Sequence, residues 1–398
     1  MQADRKTAWW TNVPWQLYGC LPPAADRVVD RCFGYLIPLT QLRAPVAIIH
    51  GRSRLGDRPA AMVTAGTGRG IDYLVDRFFE ADLEQEPIGN VPLWRLARTL
   101  KSLRASVDMT IARVDRITAG LLFDSEYLAV PEWVGTRLPL PCPARSRSLK
   151  KEIQHALRGN FSSELTRTEQ DFQTFYDAMY VPFIRRRYGP QAAIRRFYSM
   201  RRLYRHGGVI WLKQGGQRVA GLMFHERRQK LDLVALGTID GGRAPVEAGA
   251  FARLYALFLE HAEATGCTEV ELGGCRPSLE DGVLRYKRKW GAHLTEQRGS
   301  HYDFMVQWNR GSQPAIDFLA STPMIFRDRG GLSAVTGMEL GGLTRTNARD
   351  GSDSRWLPGL RRMYFVAASG EWAVQESARG TISPDGSNAG QTPGFGRG

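Results

Sequence analysis

Three apolar runs separated by turn residues, Val209–Lys213, Arg218–His225 and Lys230–Gly237, are followed by a helical stretch and one more strand-like run. Gly215-Gly216 between the first two reads as a hairpin turn. The helical stretch Glu247–Thr265 stops at Gly266, a residue able to take the left-handed conformation that closes helices. Thr268–Leu272 then reads as a strand, a short helix follows near Leu279–Trp290, and a last strand lies near Ser300–Trp308. This succession requires an α+β lobe, a mixed sheet flanked by helices.

The lobe begins near Arg145, with a charged helix at Ser148–Leu157, an extended run at Phe161–Leu165 and helices at Thr168–Tyr188 and Ala192–Arg205. Ahead of it, residues 1–144 form a second mixed lobe. Ala44–His50 and Ala60–Ala65 read as strands, Ile71–Glu80 as a short helix, and Val107–Ile117 alternates as a strand. Val91–Ala105 is an amphipathic basic helix with Leu93, Leu96, Leu100 and Leu103 on one stripe. The run Leu138-Pro139-Leu140-Pro141-Cys142-Pro143 reads as a linker. Residues 145–310 are therefore the second domain, 311–375 a C-terminal extension and 376–398 a Gly/Ser/Pro-rich tail expected to be disordered.

A chain of 398 residues with 43% hydrophobic residues is long enough for two such cores, and its 24% charged residues exclude a multi-span membrane protein. Five scattered cysteines do not make a disulfide framework and fit a reducing compartment. The residues after Met1 lack the apolar run of a secretory signal, which makes a cytoplasmic protein the expectation.

The net charge is +14, and it is concentrated: ten Lys or Arg and no carboxylate lie between Asp177 and Glu226. Such a stretch either is a solvated face or attracts phosphate, anionic lipid or nucleic acid. A second feature is the junction from Leu236 to Ala250, where small residues around Val246, Ala248, Gly249 and Ala250 precede a helix. Backbone N–H groups at a helix start can hold phosphate or pyrophosphate, with Arg243 adding charge. Structural use of the same glycines is the competing reading.

Downstream stands Leu272-Gly273-Gly274-Cys275, then Tyr286-Lys287-Arg288-Lys289-Trp290-Gly291. With the preceding helix and strand in order, this aromatic-Lys-x-x-aromatic-Gly element resembles the GNAT acyltransferase superfamily, most closely its FemAB-like branch of two tandem GNAT lobes. Phe175-Tyr176-Asp177-Ala178-Met179 is similar to the matching part of that lobe. The resemblance covers residues 145–310, while 40–144 match in the order of elements.

The resemblance implies an N-acyltransferase acting on an amine of a cell-envelope or polysaccharide precursor, a small molecule or a lipid-linked acceptor. The donor it implies is acyl-CoA as co-substrate, or aminoacyl-tRNA in the branch acting on cell-wall peptide. Lys287 would face a phosphate or the developing negative charge. Tyr286 is either a proton donor to the leaving group or a packing aromatic. No metal is implied. Such enzymes work by holding donor and acceptor together and stabilising an oxyanion. A non-catalytic basic module that docks on tRNA or an anionic membrane surface is the remaining alternative.

Other constellations are weaker. Gly66-Thr67-Gly68-Arg69-Gly70 lacks the full dinucleotide spacing. Cys267 and Cys275 have no zinc-ligand spacing and no paired base. His206, His225 and His293 read as structural, His225 being the least implausible base, with Glu226 and Asp240 as outsiders.

Overall fold

The computed structural model describes residues 42–142, 147–189, 192–227, 229–338 and 356–376, together with 28, 32 and 383–384. In chain order the elements are β1 (Arg43–Arg52), β2 (Pro59–Ala65), α1 (Arg69–Phe78), β3 (Glu84–Pro92), α2 (Leu93–Leu103), β4 (Met109–Asp115), α3 (Arg116–Leu122), β5 (Leu128–Pro131) and β6 (Val134–Pro139). They continue as α4 (Arg147–Arg158), β7 (Ser162–Thr166), α5 (Glu169–Thr174), a π-helical turn (Phe175–Tyr180), α6 (Val181–Tyr188), α7 (Phe197–Tyr204), β8 (Gly207–Gln214), β9 (Gln217–Arg227) and β10 (Lys230–Thr238). Next come α8 (Ala244–Glu247), α9 (Ala250–Ala264), β11 (Glu269–Glu271), α10 (Gly282–Lys289), β12 (His293–Glu296) and β13 (Tyr302–Trp308). The last are α11 (Gln313–Ser321), β14 (Met324–Asp328), β15 (Gly331–Gly337), β16 (Leu360–Val366), β17 (Trp372–Gln375) and β18 (Ser383–Pro384).

The protein is α+β, with two mixed sheets flanked by helices. Among the described residues, one compact unit holds Arg137–Gly273 and Lys289–Ala292, and the other holds 42–136, Gly274–Arg288 and His293 onward. This division differs from consecutive lobes at 1–144 and 145–310. β13, expected to close the second lobe, pairs instead with β4 and β5. Phe304, Met305 and Val306 are all almost fully buried, so this strand must be covered on both faces, as a central strand is. The segment expected as a separate extension carries β14 to β17, which lengthen the same sheet in the order β17-β16-β15-β14-β5-β13-β4-β2-β1-β3. The Pro-rich run read as a linker carries the end of β6: Leu138 is buried and pairs with Val270 of β11. The expected tail lies outside the described residues except for Glu376 and 383–384.

In the unit containing residues 137–273 the strand order is β6-β11-β10-β9-β8-β7. Its core gathers Phe172, Phe175, Met179, Trp211 and Met223. Each aromatic buried there contributes about 1.5–3 kcal/mol relative to exposure. The sequence predicts one helix from Thr168 to Tyr188. The structure starts it on the Thr168 side chain, which accepts from the Asp171 amide, and widens it into the π-helical turn at Phe175–Tyr180. Helix α7 starts at Phe197 rather than Ala192, because Arg196 is extended.

In the other unit, Phe78, Phe304, Phe318 and Phe326 centre the core, between α1, α11 and the sheet. Asp115 caps α3 by accepting from the Thr118 amide, and Ser312 caps α11 in the same way through Ala315.

Candidate functional site

The parallel strands β10 and β11, joined through α9, pair at only three positions: Lys230 with Glu269, Leu231 with Val270 and Asp232 with Glu271. β10 runs on to Thr238, but no further pair is made with β11. Two local features mark the point of parting. The pairing of β10 with β9 shifts register between Leu233 and Ala235. Gly273, at φ +76°, lies so close to the Leu233 carbonyl that a Cβ there would sit 3.2 Å from its oxygen. Strands that part at their carboxyl ends beside a helix start form the place where open α/β sheets receive ligands.

The π-helical turn closes one side of β10. A Cβ on Gly237 would come within 2.7 Å of the Met179 backbone, so only glycine allows this approach. The same turn fixes part of the basic stretch. Tyr180 Oη accepts from the Arg195 amide at 3.0 Å, and Tyr176 Oη donates to the Arg195 carbonyl at 2.9 Å. Arg195 is thereby held, with its side chain exposed, about one tyrosine length from the turn that packs on Gly237.

The basic stretch is less bare than its sequence window. Acids upstream of the window enter it: Arg201 pairs with Glu169, Lys213 with Glu164, and Arg218 with Asp171 and Glu164. Arg202 is buried. Arg185, Arg186, Arg187, Arg195, Arg196 and Arg205 remain exposed.

The five positions expected to cradle a pyrophosphate fold as follows. Arg243 is exposed and precedes the four-residue α8, which Pro245 helps to start. The amides of Glu247, Ala248 and Gly249 donate to the carbonyls of Arg243, Ala244 and Val246. They are committed inside that turn, which removes them from the expected cradle. Gly249, at φ +86°, lets α9 pack on α4: a Cβ there would lie 2.9 Å from the Ala156 Cα. Val246 is half-buried, and buried Ala250 opens α9, whose first amides point out of the helix.

The Tyr-Lys-x-x-Trp-Gly element places its residues in two environments. Trp290 is fully buried and stacks on Tyr255 of α9 at 5.3 Å, so it is a packing residue. Lys287 on α10 is 2% exposed. Its Nζ donates to the Gly274 carbonyl at 3.3 Å and to Cys275 Sγ at 3.2 Å. Burial pushes the Cys275 thiol up from its ordinary range, and the Lys287 charge pulls it back in part. Asp281 accepts from the Leu284 amide at the start of α10. Burial raises its carboxyl as well, opposed by that amide and by Lys287. Tyr286 is half-buried on α10. The pairing of Lys287 with Cys275 has no signature in the sequence, since a loop and a helical turn separate them.

The remaining candidates are structural. His225 is buried, its Nδ1 bonded to the Leu203 carbonyl, and burial lowers its pKa. Glu226 is clasped by both terminal nitrogens of Arg167. In the Gly66–Gly70 loop, a Cβ on Gly70 would meet the Phe304 ring at 2.4 Å, and Gly66 abuts the Arg113 carbonyl. These glycines serve packing. Among the described residues, no group of three or more His, Cys, Asp or Glu side chains is placed to hold a metal ion. No described helix is long and apolar enough to cross a membrane.

No protein-family model and no curated protein matches the chain. Among solved structures it is similar to L-PGS from Bacillus licheniformis, at 10% identity and TM-score 0.33, over 67% of this chain and 85% of that one. It is similar to FemX at 9% identity and TM-score 0.34, over 65% and 83%. A GCN5-related N-acetyltransferase from Sphaerobacter thermophilus aligns at 15% identity and TM-score 0.30, over 62% and 72%.

Proposed function

We propose that the protein is a cytoplasmic acyltransferase that moves an acyl group from a phosphate-bearing carrier to the nitrogen of a small-molecule or lipid-linked amine. The observation that carries this reading is the parting of β10 from β11 beyond Asp232 and Glu271. It leaves the backbone of Val234 and Leu236 without a β11 partner, and an extended carrier can hydrogen-bond to such a strand edge. In the reaction the amine lone pair attacks the acyl carbon and a C–N bond forms. The tetrahedral oxyanion then collapses, the C–S or C–O bond to the carrier breaks, and the proton lost by nitrogen goes to the leaving group. For Lys287 the sequence element implies a positive charge toward phosphate or oxyanion; its ammonium is buried on the Gly274 carbonyl and the Cys275 thiol.

Two donors fit, acyl-CoA and aminoacyl-tRNA. The commitment of the Glu247, Ala248 and Gly249 amides inside α8 leaves a pyrophosphate the first amides of α9 as its donors there, which favours the second, since an RNA backbone needs no such cradle. Thermal-shift titration of the full chain with CoA, acetyl-CoA and tRNA tests both. A ligand that binds only the folded state raises stability by about 2.7 kcal/mol at a hundredfold excess over its dissociation constant. A shift with CoA species selects the first donor. A shift with tRNA that collapses as salt rises, through counterion release, selects the second. Silence from all three, or no amide product with an amine acceptor, overturns the proposal.

A further inference from the structure

The two most exposed large apolar side chains among the described residues are Leu121, at 78%, and Trp94, at 66%. They stand on helices that touch each other, α3 and α2. On α2, Leu96 and Leu100 are fully buried, which turns Trp94, Arg95, Arg98 and Lys101 outward within two helical turns. On α3, Ile117 shares the outward stripe with Leu121, four residues on. Neither helix contains a carboxylate. Among the described residues, none of Arg95, Arg98 and Lys101 forms an ion pair, while Glu126, two residues beyond Asp124, is taken by Arg104.

We infer that this face docks on an anionic lipid bilayer. The chemistry selects that partner over nucleic acid. Cations and an exposed tryptophan suit both, but the aliphatic Leu121 and Ile117 gain nothing against a phosphodiester backbone. At a bilayer surface the tryptophan takes the headgroup level, the aliphatic chains take the boundary of the acyl region, and the cations meet anionic headgroups. Each cation near such a surface strengthens binding about fivefold, so the three together are worth on the order of a hundredfold. The inference is independent of the acyl-transfer reading.

Co-sedimentation of the full chain with vesicles of phosphatidylcholine and phosphatidylglycerol (3:1), against phosphatidylcholine alone, tests it at low salt. The expected result is retention on the anionic vesicles only, weakened by added salt. The triple variant Arg95→Ala, Arg98→Ala, Lys101→Ala is expected to bind on the order of a hundredfold more weakly, and Trp94→Ser with Leu121→Ser also to lose binding. All these side chains are exposed, so both variants should keep the parental thermal midpoint. Arg185→Ala, Arg186→Ala, Arg187→Ala is the control, and it should bind as the parent does. The inference falls if the parent ignores anionic vesicles, if the control loses binding while the α2 variant keeps it, or if the α2 variant loses affinity for an RNA duplex but not for vesicles.

Discussion

The Lys287 ammonium donates to the Cys275 thiol at 3.2 Å inside the protein, with the Gly274 carbonyl as its second acceptor. The Asp281 carboxyl also feels the Lys287 charge. Lys287→Met conserves length and removes that charge. Because a buried charge has a desolvation cost, folding stability should change by no more than about 1 kcal/mol, read by urea denaturation. Acyl transfer should fall about 100- to 1,000-fold, the size expected when a preorganised positive group is lost. Unchanged turnover would make Lys287 a packing residue and favour a docking module. That alternative is lost instead by Arg195→Ala with Arg196→Ala, both exposed.

Cys275 and Cys267 are buried, whereas Cys32 is exposed and Cys142 half-buried. Burial also pushes the Cys275 thiol up from its ordinary range. Brief iodoacetamide treatment of the native protein at pH 8 should therefore label Cys32 and leave Cys267 and Cys275 unmodified until urea is added. Peptide mass spectrometry checks this, and early labelling of Cys275 would contradict its placement.

Gly249→Ala adds a methyl 2.9 Å from the Ala156 Cα and forces alanine to φ +86°. Strain and overpacking together should cost about 2–4 kcal/mol. The loss should be present without any ligand, in the thermal midpoint of the free protein. A variant of normal stability that had lost only donor binding would return Gly249 to a direct ligand role.

The hydrogen-bonded Arg167 guanidinium holds the Glu226 carboxyl below its ordinary range. A carboxylate with a depressed folded-state pKa adds stability above its unfolded pKa and loses it as pH falls through the lower folded value. The pair is half in solvent, so about half a kcal/mol is at stake. Arg167→Met should lower stability near pH 6 by that amount and converge with the parent as acid protonates the carboxylate, measured by urea titration across the range.

The apolar runs of Val209–Lys213 and its neighbours, with turn residues between them, located strands β8 to β10 within two residues, because β8 and β9 are buried along most of their length and β10 alternates. The partner of β13 was not readable. Its doubly buried apolar run marks a central strand, yet nothing local says which sheet will accept it. The basic stretch misled for a similar reason: Glu164, Glu169 and Asp171 lie outside its window and reach it through the fold. Lys287 stood out through the spacing of its element. The amides of Glu247 to Gly249 did not show their commitment, since a run of small residues permits an open loop and a closed turn equally.

The insertion of β13 between β4 and β5 also fixes an order of events at the ribosome. Strands β1 to β4 can pair as soon as they emerge, but β5 has no sheet neighbour until residue 308 has been made. A nascent chain stopped short of that point presents β4 as a raw apolar edge. Synthesis of this protein thus carries a long window in which capture by a chaperone competes with self-association.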